Sequence, residues 1–162
     1  MDAIELLEEQ HREVEALFEE IEQASDAEEK RDLFEEIADQ LTVHALIEER
    51  HFYPAVKEKR TEDILLESLE EHLSIKRLLA DLLKLSPEDE QFDAKLKVLQ
   101  EQVEHHVEEE EGELFPKVRK ILDKEMLQAV AQEMTATQEQ LLEAGDPRGL
   151  VKGQTAEAPS LG

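Results

Sequence analysis

Apolar residues recur along this chain at steps of three and four positions, the spacing that marks one face of an α-helix. The pattern predicts helices over about 2–23, 27–59 and 61–85, a fourth that starts near Ser86, and a fifth over about 118–143. No segment shows the alternation of period two that is typical of a strand. The apolar stripe of each of the first four helices contains one central histidine: His11, His44, His72 and His106.

One sequence pattern occurs twice, with an offset of 62 positions. Residues 44–54 read HALIEERHFYP, and residues 106–116 read HVEEEEGELFP. In each copy a glutamate follows the histidine by four positions, Glu48 in the first and Glu110 in the second, and an aromatic residue and a proline close the copy. A further histidine precedes each copy by 33 or 34 positions. We therefore interpret the chain as a tandem duplication.

Four amphipathic helices with short connections predict an all-α, up-down-up-down four-helix bundle, with an additional C-terminal helix on its end or side. Pro54 is expected to bend the second helix rather than end it, because good helix formers follow. Gly145-Asp146-Pro147 stops the last helix. The sequence thus predicts one domain over residues 1–144 and a disordered tail over 145–162.

Composition and charge narrow the function further. The 162 residues carry a net charge of −25, which argues against binding to nucleic acid or to anionic membrane surfaces. The absence of cysteine excludes disulfides, zinc–thiolate sites and iron–sulfur clusters. No apolar run approaches the ~20 residues of a membrane-spanning helix, and the acidic start of the chain differs from a signal peptide, so a cytoplasmic location is expected.

A single pair of histidine and glutamate four residues apart carries no weight here, because glutamate makes up about a fifth of the chain. The two pairs are informative because they interrupt apolar stripes at corresponding places, after Leu41 and Val103 and before Phe52 and Leu114. Two unpaired carboxylates in one core are costly, so a cation must lie beside them. Without one, at least one glutamate should take up a proton and show a raised pKa.

A pair of metal ions is the simplest source of that positive charge. Residues four apart share a helix face about 6 Å apart along the axis, and a glutamate can bridge two ions about 3.5–4 Å apart. Imidazole and carboxylate without thiolate suit iron or manganese, with zinc as a further option. The alternative is a set of hydrogen-bonded core histidines with glutamates that face the solvent.

Other polar residues near the two pairs receive weaker interpretations. His105 is rotated by about 100° from its neighbour and should face the solvent. His51 lies on the helix face of the first pair and either lines a pocket or is partly exposed. Glu49 and Glu111, each directly after a paired glutamate, are expected at the rim, with Glu111 as an alternative ligand.

The full pattern resembles the hemerythrin HHE cation-binding family over about Ile4 to Val118. The resemblance implies a four-helix bundle with a non-haem di-iron centre, two bridging carboxylates, and room for dioxygen, peroxide or nitric oxide. The residues that carry it are His11, His44, Glu48, His72, His106 and Glu110, with Tyr53-Pro54 and Phe115-Pro116 closing the two copies. In this interpretation the four histidines are terminal nitrogen ligands, and Glu48 and Glu110 are the bridges.

The chain departs from the oxygen-carrying members at two places. They have a second histidine four residues after the third-helix histidine, where this chain has Lys76, and an aspartate five residues after the last histidine, where it has Glu111. The resemblance is therefore to the H-HxxxE-H-HxxxE variant, whose members look like peroxide-handling, iron-responsive or gas-sensing proteins. Lys76 either lies near the centre and attracts anions, or extends out of the bundle.

These observations predict a di-iron protein that binds or reduces hydrogen peroxide, dioxygen or nitric oxide. Its enzymatic version is a catalase-like disproportionation of peroxide. The alternative is a sensor or iron buffer without catalysis, and a third class is a metal-free helical interaction module. Two irons are the expected cofactor, ahead of manganese or zinc, and a small-molecule oxidant is the expected partner.

Overall fold

The computed structural model describes residues 1–162 and is helical throughout, which confirms the all-α prediction. Two π-helical turns, Glu48–Phe52 and Glu110–Leu114, join α2 to α3 and α5 to α6, and the last helical segment is a 3₁₀ helix, Pro147–Gln154. The α-helices are α1 (Ala3–Glu22), α2 (Ala27–Ile47), α3 (Tyr53–Val56), α4 (Glu62–Leu83), α5 (Glu90–Glu109), α6 (Phe115–Ile121) and α7 (Lys124–Ala144).

A proline, Pro54 or Pro116, lies two residues after the end of each π turn. The Tyr53 N–H donates to the Glu48 carbonyl and the Phe115 N–H to the Glu110 carbonyl, five residues earlier in both cases. A proline ring crowds the carbonyl four residues before it, and the wider π turn relieves that contact without ending the helix. The helical path therefore continues past Pro54, as the sequence predicted.

The hydrophobic core consists of two clusters, and the central histidines fall between them. On α1, for example, Leu7 belongs to the second cluster, Val14 belongs to the first, and His11 lies between them. On α4 the order is Leu69, His72 and Ile75. Each bundle helix thus places its histidine at the boundary of the two clusters, where the apolar stripes are interrupted.

The last long helix begins later than the sequence suggested. Leu122 adopts an extended conformation, and the Asp123 side chain accepts a hydrogen bond from the Met126 N–H, so α7 starts as a separate helix. It buries Leu127, Ala131 and Met134 and packs against α1, α2 and the first π turn. None of the helices combines the length and the apolarity that crossing a membrane requires.

The C-terminal segment differs from the predicted disordered tail. Its 3₁₀ helix packs on α2 and α4, and Val151 is only 1% exposed within the first core cluster. Arg148 donates to Asp39 at 2.9 Å, and Arg77 donates to two carbonyl groups further along the tail. A search for the period of an α-helix misses this segment, because few residues are buried and a 3₁₀ helix has a period of three.

Candidate metal centre

The structure brings all six candidate ligand residues together inside the bundle. They form two groups, and within each group the candidate ligand atoms lie within 4.8 Å of one another. The imidazoles of α1 and α2 share one group, and those of α4 and α5 share the other. The groups are His11, His44 and Glu110, and Glu48, His72 and His106.

Each carboxylate reaches imidazoles of both groups. Glu48 Oε1 lies 3.1 Å from His72 Nε2 in its own group and 3.2 Å from His44 Nε2 in the other group. This is the position that a carboxylate bridging two cations requires. The corresponding distances of the second carboxylate are 3.0 Å for Glu110 Oε1 to His11 Nε2 and 3.5 Å for Glu110 Oε2 to His106 Nε2.

A hydrogen bond at Nδ1 fixes the orientation of each of the four imidazoles. Each Nδ1–H donates to a side-chain oxygen at 2.7 Å, which leaves Nε2 free to act as a ligand inside the bundle. Acceptors of this kind fix the ring orientation, and carboxylate acceptors also make Nε2 a stronger donor. The four pairs are His11 with Glu111, His44 with Gln10, His72 with Glu49, and His106 with Glu71.

These four hydrogen-bond acceptors occupy corresponding positions in the two copies of the duplicated sequence. Glu49 and Glu111 directly follow the two paired glutamates, and Gln10 and Glu71 directly precede the first and third central histidines. The sequence predicted Glu49 and Glu111 as rim residues, with Glu111 as an alternative ligand, and it missed Gln10 and Glu71. Their equal positions in the two copies were the available signal, since a chance neighbour would not recur at the same offset.

The side chain of Lys76 is buried and does not extend into the solvent. Its Nζ lies 2.9 Å and 2.8 Å from the two carboxylate oxygens of Glu49, and the side chains of Lys76 and Glu49 are only 3% and 7% exposed. Lys76 therefore supports the acceptor of the His72 Nδ1–H. Arg12 pairs in the same way with Glu111, the acceptor of the His11 Nδ1–H, but the side chain of Arg12 is 56% exposed.

The hydroxyl of Tyr53 lies inside the site, which the sequence did not predict. Tyr53 Oη donates to Glu110 Oε2 at 2.7 Å and lies 3.3 Å from Glu48 Oε1. Burial and the two carboxylates raise the pKa of Tyr53 well above its usual range, so the phenol remains a hydrogen-bond donor. Its counterpart in the second copy, Phe115, instead stacks on His11, with ring centroids 6.0 Å apart.

In the metal-free protein His44, His72 and His106, whose pKa values are all raised, provide the positive charge. Burial opposes protonation of His44, but Glu48 and Glu110 raise its pKa from 6.5 to about 9. Burial and Glu110 oppose ionisation of Glu48, but His44 and His106 lower its pKa to about 2. The expectation of a glutamate with a raised pKa is therefore wrong, because neighbouring imidazolium groups stabilise both carboxylates.

Two atoms of the site remain without a hydrogen bond. His44 Nε2 and Glu48 Oε2 are both buried and lack a partner with hydrogen-bond geometry. Unsatisfied buried polar atoms are costly, and cation coordination would satisfy both. Nitrogen and carboxylate donors without thiolate also match iron, manganese or zinc, so the residues present fit a pair of such cations.

The two remaining histidines lie outside this site. His51 Nε2 is 2.6 Å from the Thr137 hydroxyl, so His51 connects the first π turn to α7, and its side chain is partly exposed, which was one of the two alternatives. The His105 side chain is 62% exposed, as predicted. Together with Glu71 and Glu109 it forms a third, surface group of potential ligands.

Comparison with known proteins gives a consistent assignment. Residues 2–118 match the Hemerythrin HHE cation binding domain. The fold is similar to the crystal structure of a Hemerythrin HHE cation binding domain-containing protein from Mycobacterium kansasii, with a TM-score of 0.76 and 25% identity, over 96% of this chain and 94% of that one. A curated relative from Nostoc sp. (strain PCC 7120), described as a DNA nickase, is 32% identical over 131 residues. That match covers 81% of this chain but only 37% of the Nostoc protein. The chain belongs to the hemerythrin HHE cation-binding family.

Proposed function

We propose that this chain is a non-haem di-iron protein that binds and reduces small oxidants, namely hydrogen peroxide, dioxygen or nitric oxide. The observation that carries the proposal is the convergence of four Nε2 atoms on two carboxylates that each reach both groups. A pair of iron ions held there would supply two electrons, one from each ion, which zinc cannot do.

The side chains around the site have distinct tasks in this proposal. The four imidazoles would bind through Nε2, and Glu48 and Glu110 would be the carboxylates shared by the two cations. Tyr53 holds the Glu110 carboxylate in place through its hydrogen bond. Glu49 accepts the Nδ1–H of His72 and so orients that imidazole, and Lys76 keeps the buried Glu49 ionised.

Nucleic acid is not part of this proposal. The Nostoc relative is described as a DNA nickase, but this chain spans only 37% of its length. A net charge of −25 opposes association with a polyanion, which basic surfaces normally favour. The proposal therefore rests on the buried site and on small uncharged or weakly charged oxidants.

Iron loading tests the proposal directly. The protein is reconstituted anaerobically with ferrous iron, and bound iron is measured by elemental analysis together with the absorption spectrum in air. We expect about two irons per chain and near-ultraviolet absorption typical of an oxo-bridged ferric pair. The variants His106→Gln and Glu110→Gln should lose both signals. The matched control is His105→Gln, which changes the neighbouring exposed residue on the same helix and should retain both.

The outcomes separate the proposed function from its alternatives. Only trace iron in the wild-type protein, with helical content unchanged, would contradict the di-iron proposal and favour a metal-free interaction module. Two bound irons with no consumption of peroxide, dioxygen or nitric oxide would contradict oxidant reduction and favour an iron buffer. Multiple turnovers of hydrogen peroxide with release of dioxygen would identify a catalase-like activity.

A further inference from the structure

A cavity of about 200 Å³ adjoins the candidate metal centre. The imidazoles of His11, His44, His72 and His106 all line it, whereas Glu48, Glu110 and Tyr53 do not. A molecule in this cavity would therefore meet the centre at its nitrogen ligands and not at its bridging carboxylates. The position is suited to a substrate that approaches the cations beside the imidazoles.

The walls of the cavity are apolar and come from all four bundle helices. They belong to the first core cluster, which is thus incompletely filled next to the site. Protein interiors are normally packed as densely as organic crystals, so an unfilled space of this size beside reactive groups is unusual. The wall residues are Val14, Leu41, Ile75, Leu79, Val103 and Val107.

The outer part of the cavity is polar. Glu13 and Asp39 line it together with Gln40, Gln138 and the exposed Leu142 of α7. Arg148 pairs with Asp39, and Lys76, which also lines the cavity, pairs with Glu49. The local charges are therefore largely compensated, and it is the net charge of −25 that disfavours the entry of an anion. An uncharged molecule with an apolar part suits both the entrance and the walls.

The volume of the cavity indicates the size of that molecule. An apolar cavity of about 150 Å³ binds benzene, which has six heavy atoms. Hydrogen peroxide, dioxygen and nitric oxide have two heavy atoms each and would leave most of this cavity unfilled. An organic hydroperoxide with a short alkyl chain has the matching size, one reactive polar end and no charge at neutral pH.

We propose that this cavity binds the alkyl part of a small organic hydroperoxide and directs its peroxide end toward the four imidazoles. The inference rests on the proposed function and names a substrate class for the same site. Reduction breaks the O–O bond, takes up two electrons and two protons, and yields an alcohol and water. A pair of ferrous ions held by the six candidate ligands would supply the two electrons, one from each ion.

Burial of the alkyl part sets the expected preference. Each methyl group removed from water favours binding by about fourfold. The three methyl groups of tert-butyl hydroperoxide should therefore lower its half-saturating concentration on the order of 50-fold relative to hydrogen peroxide.

The first experiment measures occupancy without any reaction. Benzene is titrated into the iron-loaded protein by isothermal calorimetry, and saturable binding of about one molecule per chain is expected. Val103→Phe places a ring in the cavity and should abolish this binding. The control, Val98→Phe, makes the same change on the same helix at a side chain that is 44% exposed, and should bind benzene as the wild type does. No saturable binding to the wild-type protein overturns the proposal.

The second experiment measures substrate preference. Anaerobic ferrous-loaded protein is mixed with tert-butyl hydroperoxide or with hydrogen peroxide, and its oxidation is followed by absorption. Val103→Phe should raise the half-saturating concentration of the organic peroxide at least tenfold more than that of hydrogen peroxide. The added ring excludes the alkyl groups, whose burial favours binding of the organic peroxide only. If this variant does not fold, Val103→Leu, which adds one methylene group, should shift the ratio in the same direction.

The results distinguish this inference from the function on which it rests. Oxidation of the ferrous protein by both peroxides with equal half-saturating concentrations overturns only the assignment of the cavity. If a protein that holds two irons is oxidised by neither peroxide and also consumes no dioxygen or nitric oxide, the proposed function is overturned as well.

Discussion

Removal of the metal should make the stability of this protein strongly dependent on pH, because protons then hold the buried site together. The pKa of His44 rises from its ordinary 6.5 to about 9 in the folded protein. The stabilisation from its proton is fully present below pH 6.5 and is lost as the pH rises toward 9. The pKa of Glu48 falls from 4.5 to about 2, so its contribution is present above pH 4.5 and is lost as the pH falls toward 2.

The size of the effect follows from the shift at His44. One pKa unit corresponds to 1.36 kcal/mol, so a rise from 6.5 to about 9 corresponds to about 3 kcal/mol between pH 6.5 and pH 9. Burial lowers the pKa of His106, but the charge of Glu110 and the hydrogen bonds to carboxylates together outweigh burial, so this pKa is also raised well above its usual range. The two imidazoles share the same carboxylates, and their contributions are therefore not additive. A typical domain has only about 5–15 kcal/mol of stability, so the loss should be readily measured.

Urea unfolding of the metal-free protein, followed by circular dichroism at pH 6, 7.5 and 9, measures this loss. The free energy of unfolding should fall across the series, whereas that of the iron-loaded protein should fall less, because the cation binds deprotonated imidazole. His44→Gln should flatten the pH dependence of the metal-free protein, and His105→Gln should leave it unchanged. A free energy that stays constant or rises between pH 6.5 and 9 in the metal-free wild type would refute the reasoning.

Two further predictions concern the residues that support the site and the bundle. Lys76→Met leaves Glu49 buried without its cation and should cost about 3–5 kcal/mol in urea unfolding, whereas Arg12→Met, at the exposed pair with Glu111, should cost about 1 kcal/mol or less. Equal costs for the two variants would contradict the buried pair. Val151→Ala should destabilise the protein by about 1–3 kcal/mol, and an unchanged unfolding midpoint would show that the 3₁₀ helix does not contribute to the core.

The position of the six candidate ligands was predictable because it depends on helical periodicity alone. Residues four apart on one helix share a face, and the duplication repeats that pair at the same height on a second helix. Which residues accept the Nδ1–H hydrogen bonds of the imidazoles depends on a different quantity, the rotation of one helix about its axis relative to its neighbour. Glu71 on α4 meets His106 on α5 only because of that rotation, which the periodicity of either helix leaves undetermined.

The inward position of Tyr53 has a local cause that the sequence showed only in part. Five residues along an α-helix place two side chains about 140° apart around the axis, which would turn Tyr53 away from Glu48. A π turn closes its hydrogen bond over five residues and so brings the two side chains toward one face. Pro54 indicated a distortion at this point, but a bend and a π turn have the same sequence signal. The hydroxyl of Tyr53 therefore reaches both carboxylates for a reason that only the backbone shows.

The two halves of the site are chemically different, although the duplication gives them the same geometry. Glu71 accepts the Nδ1–H of one imidazole as a carboxylate, whereas the equivalent Gln10 accepts the Nδ1–H of His44 as a neutral amide. The orientation of that amide is fixed by α7, since Gln10 Nε2 donates to Gln138 Oε1 at 2.7 Å. A carboxylate acceptor strengthens an imidazole as a ligand more than an amide does. We infer that His44 is the weakest of the four nitrogen donors, and that its group holds a cation less firmly than the group on α4 and α5.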